Sequence, residues 1–491
     1  MKVGLLRRVR EPPNFSRPVR AAASSALQCC APAVAAVHVV SRFAARGVTK
    51  ATWHDNPRMP TFAPFARGAQ RRRRRAGVVG RGALAAVVAL AGLAATAAAD
   101  AATAYATQGR CAGFPRVALD APRGWCVALV ADAASGLVFP RRIAEVAPGR
   151  FWIVDMGSWQ ANRGRLLELE LPAGDATPPV ALRVVADKLD RPHGIAVAAD
   201  GRVYVGEAGR IWRTRPTTPI AIETVIDGLP ADGAHPLKEI VFGAPGQLFV
   251  NVGSSSDACR DAAGALPLPC PDTQGAMPRA AVYEARLGGA AQTLQSLQPY
   301  ATGLRNSLAL AWVAPGVLLQ GENSIDYADE NAPPEELNAL AAGADHGWPT
   351  CVGARRPARG YEGRVDCAKT AAPVRLWPAH VAPLQMVAVP ASAQNAFAGQ
   401  IVVAWHGYRA AGHRVVSYVL DARGRPTGAP RPWIAGWNAV KNVRPLGAPT
   451  GVLVDAAGRL FVVEDRNRTL LMLTRDDAAP GAAASAAKTM R

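Results

Sequence analysis

The chain has 491 residues, with 56 lysines and arginines against 37 aspartates and glutamates, a formal net charge of +19. Residues 1–99 hold 17 of the basic residues and two of the acidic ones, so the remaining chain, with 39 and 35, carries a net charge of only +4. A nucleic-acid-binding domain needs its cations clustered on the folded surface. The charge distribution therefore argues against nucleic acid as a partner.

The N-terminal region has the pattern of an export signal. Five arginines at residues 71–75 precede an alanine-rich apolar run over residues 82–99 that ends in small residues. That order is typical of a cleaved secretory signal peptide, and an uncleaved anchor is the alternative. We predict a signal peptide over residues 59–99, beginning at Met59, after a doubtful extension over residues 1–58. The expected location is periplasmic or secreted, with no stable membrane span after cleavage.

A glycine-led turn followed by a short apolar run occurs six times along the rest of the chain. The six glycines stand at positions 149, 201, 246, 316, 399 and 458. Repeats of a turn and a strand at such intervals are typical of propeller blades. The sequence therefore predicts an all-β fold, a six-bladed β-propeller over residues 100–478, with a disordered tail over residues 479–491. The best helix candidate is residues 335–342, which follow two prolines and precede Gly343.

Six of the eight cysteines lie in the predicted mature chain. An even count in an oxidising compartment favours disulfides, whereas a metal site would need closer Cys and His spacing. Spacing alone does not prove connectivity, but the shortest arrangement joins neighbours: Cys111 with Cys126, Cys259 with Cys270, and Cys351 with Cys367.

Two histidines are candidates for acid–base chemistry. His235 lies just ahead of the apolar run of the third repeat, and His193 lies ahead of the run of the second. A histidine in a blade-entry loop faces the channel mouth and is able to act as a base near neutral pH. The alternative for either residue is a packing or capping role.

Three later segments carry polar residues at blade ends. Arg305 and Asn306 precede the fourth repeat and offer planar donors and a neutral amide, although such a pair also serves to tie blades together. Residues 321–338 are rich in carboxylates and amides, which suits a hard cation such as Ca²⁺, although an acidic loop is often only solvated. His406 and Arg409 follow the fifth repeat.

In order and wording these segments resemble the glucose/sorbosone dehydrogenase family, exported six-bladed propellers that use pyrroloquinoline quinone (PQQ) and Ca²⁺. The resemblance runs from about residue 124 to residue 474. Its most specific motifs are Gly303-Leu-Arg-Asn, Pro333-Pro-Glu-Glu-Leu-Asn and Gly347-Trp-Pro.

The resemblance implies a dehydrogenase that oxidises a sugar or related polyol or aldose by hydride transfer to PQQ. It also implies an electron acceptor, a cytochrome or a quinone, whose identity the sequence does not fix. The alternatives are a Ca²⁺-dependent lactonase-type propeller and a non-catalytic propeller that binds carbohydrate or protein.

Residue roles follow from the same resemblance. His235 takes the hydroxyl proton, Arg305 polarises the quinone oxygen and Asn306 orients the ring. Other residues implied to bind the cofactor are His406, Arg409, Lys441 and Arg444. One Ca²⁺ is held partly by backbone carbonyls of the loop formed by Asn323, Ser324 and Ile325, and a second, structural ion by side chains drawn from Glu322, Asp326, Glu336 and Asn338.

Two positions depart from the family pattern. Lys238 stands where an arginine is commoner, and Ala448 stands where many relatives have an arginine that helps to hold the tricarboxylate cofactor. Losing one charge-assisted partner of a carboxylate costs about 1.5–3 kcal/mol of binding. Arg409, Lys441 and Arg444 are the candidates to compensate, and Ala448 is the feature that favours the non-catalytic alternative.

Overall fold

A computed structural model of the protein describes residues 105–171, 180–407, 409–438 and 446–476. In this part of the chain the strands form six sheets of four or more strands, arranged as the blades of a propeller. The predicted all-β, six-bladed fold is therefore confirmed. The predicted extension, signal peptide and tail lie outside the described residues. Within the described residues, no helix is long and apolar enough to cross a bilayer.

The first half of the propeller contains three leading strands and three blades. The leading strands are β1 (Thr107–Cys111), β2 (Phe114–Val117) and β3 (Trp125–Ala131). Blade 1 contains β4 (Pro140–Ala147), β5 (Arg150–Asp155), β6 (Gly164–Glu170) and β7 (Leu182–Leu189). Blade 2 contains β8 (Ile195–Val197), β9 (Val203–Gly206), β10 (Ile211–Thr214) and β11 (Glu223–Ile226). Blade 3 contains β12 (Ile240–Phe242), β13 (Gln247–Val252), β14 (Ala281–Gly288) and β15 (Thr293–Thr302).

The second half contains the other three blades. Blade 4 begins with β16 (Ala309–Ala314), β17 (Val317–Glu322) and β18 (Glu335–Leu340). The short strands β19 (Ala344–Asp345), β20 (Cys351–Val352) and β21 (Arg356–Pro357) follow, and β22 (Arg375–Trp377) then completes the blade. Blade 5 contains β23 (Pro383–Val389), β24 (Gln400–Trp405), β25 (Arg414–Leu420) and β26 (Pro426–Ile434). Blade 6 is formed by β27 (Pro449–Val454), β28 (Leu460–Glu464) and β29 (Thr469–Arg475) together with β3. Two 3₁₀ helices, Pro271–Thr273 and Cys367–Lys369, lie in loops.

The six repeat glycines lie in the turns between the first and second strands of the blades. All six have a positive φ, from 69° to 77°. Glycine adopts this backbone region without the steric penalty that a Cβ brings. The repeats found in the sequence therefore mark the second strand of each blade.

The ring is closed by strands from distant parts of the chain. In blade 6, β29 pairs with β3 in an antiparallel register that places Leu471 opposite Leu129. The innermost strands β4, β8, β12, β16, β23 and β27 each contact the next around the ring, and β27 contacts β4.

Six of the hydrophobic clusters among the described residues lie between neighbouring blades, one for each pair. Trp152 of blade 1 packs with Trp212 of blade 2, and both are fully buried. Phe151 of blade 1 packs against Phe461 of blade 6, with ring centroids 4.9 Å apart. Because each blade buries its faces against only two neighbours, the blades are stable only as a ring.

One arginine joins the inner strands of most blades. Arg142, on β4, is fully buried and forms an ion pair with Glu239 of blade 3. Its guanidinium also donates hydrogen bonds to the backbone carbonyls of Leu308 (3.1 Å), Leu384 (2.5 Å) and Thr450 (2.5 Å), which belong to blades 4, 5 and 6. The Arg142 side chain therefore connects the innermost segments of five blades at the centre of the ring.

The three neighbouring cysteine pairs form disulfides: Cys111–Cys126, Cys259–Cys270 and Cys351–Cys367. The shortest arrangement predicted from the sequence is thus confirmed. Two of these disulfides hold loops of blades 3 and 4, which pack together around Trp348 and Tyr361.

The helix predicted over residues 335–342 is wrong, because Glu335–Leu340 is strand β18. It pairs with β17 on one side and β22 on the other. The carboxylates of Glu335 and Glu336 are buried and accept backbone N–H groups of Ser324 and Gly353, both at 2.5 Å. Sheet pairing and these buried hydrogen bonds outweigh the local helix signals.

Candidate functional site

A cavity of about 450 Å³ lies at one end of the central channel. Its walls come from the segments that enter the innermost strands and from those that leave the second strands, so blades 1, 3, 4, 5 and 6 all contribute. The residues that line it include Phe139, Arg141, Trp159, His235, Leu237, Arg305, Asn306, Leu308, Asn323, Ser324, Asp326, Glu335, Leu384, His406, Asp465 and Arg466. A cavity of this size suits a small organic ligand.

The floor of the cavity is apolar. Leu237, Leu308 and Leu384 pack together with Met156 and Phe139. The backbone carbonyls of Leu308 and Leu384 accept hydrogen bonds from the guanidinium of Arg142. Two of the leucines that form the cavity floor are thus also bound, through their backbone carbonyls, to the central Arg142.

His235 lines the cavity and is held in one tautomer. Its Nδ1 lies 3.0 Å from the Ser254 carbonyl oxygen and 2.9 Å from Ser254 Oγ, which itself donates to the Ser256 carbonyl. A carbonyl only accepts, so Nδ1 must carry the proton and Nε2 must be the acceptor atom. Nε2 makes no hydrogen bond to any described residue. Burial and the nearby Arg305 lower the pKa of His235 to about 3, which keeps the ring neutral at physiological pH.

The loop that carries His235 is packed against the end of β13. A Cβ on Gly253 would come within 2.6 Å of the His235 Cβ, so only glycine fits there without moving the histidine. On the other side, the buried Lys238 ammonium donates to the carbonyls of Pro230 (2.7 Å) and Pro236 (2.6 Å). These contacts fix the backbone on either side of His235.

Arg305 lines the cavity beside His235, and most of its guanidinium is already in contact with other residues of the protein. Its guanidinium donates to the carbonyls of Asp257 (3.1 Å) and Asn323 (2.9 Å) and to the carboxylate of Asp326 (2.8 Å), and it forms an ion pair with the Asp257 carboxylate (2.8 Å). Three of the five N–H groups of this arginine are therefore hydrogen-bonded within the protein. Asn306, the next residue, has its backbone held by Glu322 and Asn323.

The residues predicted to bind metal are separated by the structure. Asn323, Ser324 and Asp326 line the main cavity, whereas Glu322 and Glu336 line a small neighbouring cavity. The other two are packed away from the main cavity: Ile325 lies among the disulfide loops, and Asn338 is fully buried and donates to Gln320. In the part of the chain that is described, no three His, Cys, Asp or Glu side chains converge in a metal-binding arrangement.

Buried carboxylates surround the acidic loop. Burial and the nearby Glu336 raise the pKa of Glu322 to about 8, and burial raises the pKa of Glu335 to about 8. Burial raises the pKa of Glu336 to about 7. Such groups are costly to ionise without a cation close by.

His406 lines the cavity from blade 5, in an ionic network that includes Asp465 of blade 6. Its Nε2 is 3.1 Å from Asp465 Oδ1, and the other Asp465 oxygen is 2.6 Å from Arg141 Nη1. Although burial alone would raise the pKa of Asp465, His406 and Arg141 hold it below its usual value. The Asp465 carboxylate therefore fixes both a histidine and an arginine at the cavity wall.

The other residues implied to bind a cofactor are not brought to this cavity. Arg409 is half-buried and lies 3.4 Å from Glu330, and it is not part of the lining. Lys441 and Arg444 lie outside the described residues. Ala448 is fully buried, with its N–H donated to Glu464 at 2.7 Å.

His193, the second histidine candidate, does not line the cavity. It is fully buried, and its Nδ1 accepts a hydrogen bond of 3.3 Å from Arg141 Nε. Its Nε2 is 3.7 Å from Glu239. His193 thus belongs to the buried network around Arg142.

Sequence reasoning missed Arg141, Trp159, Glu335, Asp465 and Arg466 as lining residues. Asp465 and Arg466 directly follow the second strand of blade 6, and Arg141 lies at the start of the inner strand of blade 1. Position relative to the six repeats was the available signal, since His406 occupies the matching place after β24.

No protein-family model matches the chain, and no curated protein sequence matches it significantly. The architecture defines the described part of the chain as a six-bladed propeller with a cavity at one end of its channel.

Solved structures share this fold. An iodide structure of a Trichoderma reesei protein of carbohydrate-active enzyme family AA12 is 20% identical, with a TM-score of 0.59, covering 76% of this chain and 100% of its own. A calcium structure of the same T. reesei family is 20% identical, with a TM-score of 0.58, covering 73% and 97%. The holo form of the PQQ domain of pyranose dehydrogenase from Coprinopsis cinerea is 20% identical, with a TM-score of 0.58, covering 74% and 99%. At this identity the similarity shows the common fold.

Proposed function

We propose that the protein is a PQQ-dependent dehydrogenase that oxidises a sugar or a related polyol or aldose. The observation that carries the proposal is the grouping of His235, with Nε2 as its acceptor atom, Arg305 and Asn306 in one cavity of about 450 Å³. The shared fold with the PQQ domain of a pyranose dehydrogenase supports it. The three disulfides support the accompanying proposal that the protein works in the periplasm or outside the cell.

The donor set of the cavity fits a planar, multiply anionic cofactor. Three arginines line it, Arg141, Arg305 and Arg466, over an apolar floor of leucines. Arginine guanidinium groups match carboxylates in geometry and charge. Arg305 and Asn306 would hold the cofactor from blade 4, and His406 and Arg466 from blades 5 and 6.

His235 would act as the base toward the substrate hydroxyl. Its Nδ1–H is fixed by Ser254, so Nε2 is the atom that takes the proton. When bound, PQQ would supply the quinone that accepts the hydride from the same substrate carbon. Because burial and Arg305 lower the pKa of His235 to about 3, the ring is neutral at physiological pH and Nε2 is available to take a proton.

Ca²⁺ would act at the wall formed by the acidic loop. Asp326 and Glu335 line the cavity together with Asn323 and Ser324 of this loop. Oxygen donors of this kind suit Ca²⁺, which would supply positive charge beside an anionic cofactor. Glu322 and Glu336 remain candidates for a separate structural ion.

The test of the proposed function is reconstitution. The purified protein is incubated with PQQ and Ca²⁺, and dye reduction is measured across a panel of aldoses and polyols. We expect activity only when both PQQ and a sugar are present. Hydrolysis of sugar lactones without PQQ would instead identify a lactonase, and sugar binding without either reaction would identify a binding protein.

The pH profile of the reconstituted enzyme should lack an ordinary histidine titration. Since burial and Arg305 lower the His235 pKa to about 3, the neutral base is fully present from about pH 8 to about pH 5. We expect no tenfold loss of kcat/KM per pH unit from this group over that range, measured in buffers of constant ionic strength. A loss centred near pH 6.5 that disappears in His235→Gln would contradict this environment for the histidine.

Removal of Ca²⁺ should lower the melting temperature. An ion that binds only the folded state stabilises it by about 2.7 kcal/mol when present at 100 times its dissociation constant. We expect a chelator to lower the Tm by several degrees and added Ca²⁺, but not Mg²⁺, to restore it in differential scanning calorimetry. Unchanged melting with chelator and with added Ca²⁺ would remove the structural ion.

A further inference from the structure

Three arginines line the main cavity, and they differ in whether their charge is already paired. Arg141 lies 2.6 Å from the Asp465 carboxylate, and Arg305 lies 2.8 Å from the carboxylates of both Asp257 and Asp326. Arg466 forms no ion pair with any residue in the described part of the chain, and its side chain is exposed at the cavity wall. It is the cavity arginine whose charge remains available to a ligand.

The backbone of Arg466 is fixed although its side chain is not. Its N–H donates to Glu464 Oε1 at 2.9 Å, and the next N–H, of Asn467, donates to Glu464 Oε2 at 2.7 Å. Glu464 is fully buried, so this anchor does not compete with solvent. The guanidinium can therefore move to meet a ligand while its point of attachment stays in place, and ordering the side chain on binding costs about 0.5–1.5 kcal/mol.

Glu464 Oε1 also binds the backbone of Ala448, the position at which this sequence lacks the family's arginine. Ala448 N–H donates to Glu464 Oε1 at 2.7 Å, so positions 448 and 466 are tied to one atom. The backbones at positions 448 and 466 are therefore close in space, although of the two residues only Arg466 lines the cavity.

We propose that Arg466 binds a carboxylate of the cofactor. The inference rests on the proposed function, because it assigns a partner to an anionic group of PQQ. The expected contact is a charge-assisted hydrogen bond, bidentate where the carboxylate plane allows it. Arg141 and Arg305 would contribute less, since their charge is already balanced by aspartates on the protein.

The experiment measures PQQ binding without turnover. Protein loaded with Ca²⁺ but free of sugar is titrated with PQQ, and Kd is obtained from quenching of intrinsic tryptophan fluorescence and from equilibrium dialysis. We expect Arg466→Gln to raise Kd about tenfold or more, the usual effect of losing a charge-assisted partner. Arg466→Lys should recover part of the affinity. Arg468→Gln, an exposed arginine two residues away that does not line the cavity, should leave Kd unchanged.

A ligand without carboxylates tests whether the effect of Arg466 depends on the charge of PQQ. The trimethyl ester of PQQ lacks the three carboxylates, so it should bind the unaltered protein more weakly than PQQ does, and Arg466→Gln should weaken it no further. Equal PQQ affinity in the unaltered protein and in Arg466→Gln, with both folded by calorimetry, would overturn the assignment and leave the proposed function standing. Failure of the unaltered protein to bind PQQ would overturn both.

Discussion

Replacing His235 with glutamine should lower kcat by roughly a hundredfold or more, the usual contribution of a positioned acid–base group. The amide of glutamine is close to imidazole in size, but it cannot accept the substrate proton. The cavity walls and their arginines stay in place, so the melting temperature and the Kd for PQQ should change little. The measurements are single-turnover rates of the reconstituted enzyme, with Kd from fluorescence titration.

His193→Gln is the matched control for this prediction. His193 is fully buried outside the cavity lining and accepts a hydrogen bond from Arg141, so its loss should cost stability and leave the turnover of the folded protein close to normal. If His235→Gln retains full turnover, the base is another residue. If His193→Gln, when folded, shows the larger loss of turnover, the roles of the two histidines are exchanged.

Replacing Arg142 with methionine should lower the free energy of unfolding by about 3–5 kcal/mol. The change leaves Glu239 buried without its cation and removes the donor from the carbonyls of Leu308, Leu384 and Thr450. Removing one partner of a buried pair is far more damaging than replacing both. The measurement is the midpoint and slope of urea unfolding.

Two further variants identify the cause of that loss. The double variant Arg142→Met with Glu239→Gln should recover part of the stability, because it removes the uncompensated charge. Arg286→Met breaks a pair with Glu284 in which the arginine is half exposed, and it should cost less than about 1 kcal/mol. Equal unfolding midpoints for Arg142→Met and Arg286→Met would show that the central arginine does not join the blades energetically.

The fold was predictable because every blade has a turn that favours glycine, and this glycine recurs in the sequence once per blade. Each blade needs a left-handed residue between its first two strands, and the six repeat glycines fill that position. The helix predicted at residues 335–342 failed because its flanking prolines and glycine carry only local information. What decides β18 is nonlocal: the pairing with β22 and the hydrogen bond from Ser324 to Glu335.

The cavity was predictable in part for a similar reason. His235 and Arg305 stand in local motifs, and both line the cavity. Arg466 stands in no such motif, and its relation to Arg141 exists only because the ring brings blade 6 beside blade 1. Arg409 is close to His406 in sequence, yet it lies outside the lining, 3.4 Å from Glu330.

The closure of blade 6 has a consequence for how the protein is made. Strand β3 is among the first to be synthesised, all seven of its residues are buried in the finished fold, and its partner β29 is added hundreds of residues later. Until then β3 offers an unpaired apolar edge, the kind of surface that drives aggregation. Long-range pairing of this type is also slow. We therefore expect the yield of folded protein to be limited by the time for which Trp125–Ala131 remains unpaired before the C-terminal strands are made. Slower synthesis should lower the yield and a holding chaperone should raise it, and both effects should exceed that of added stability.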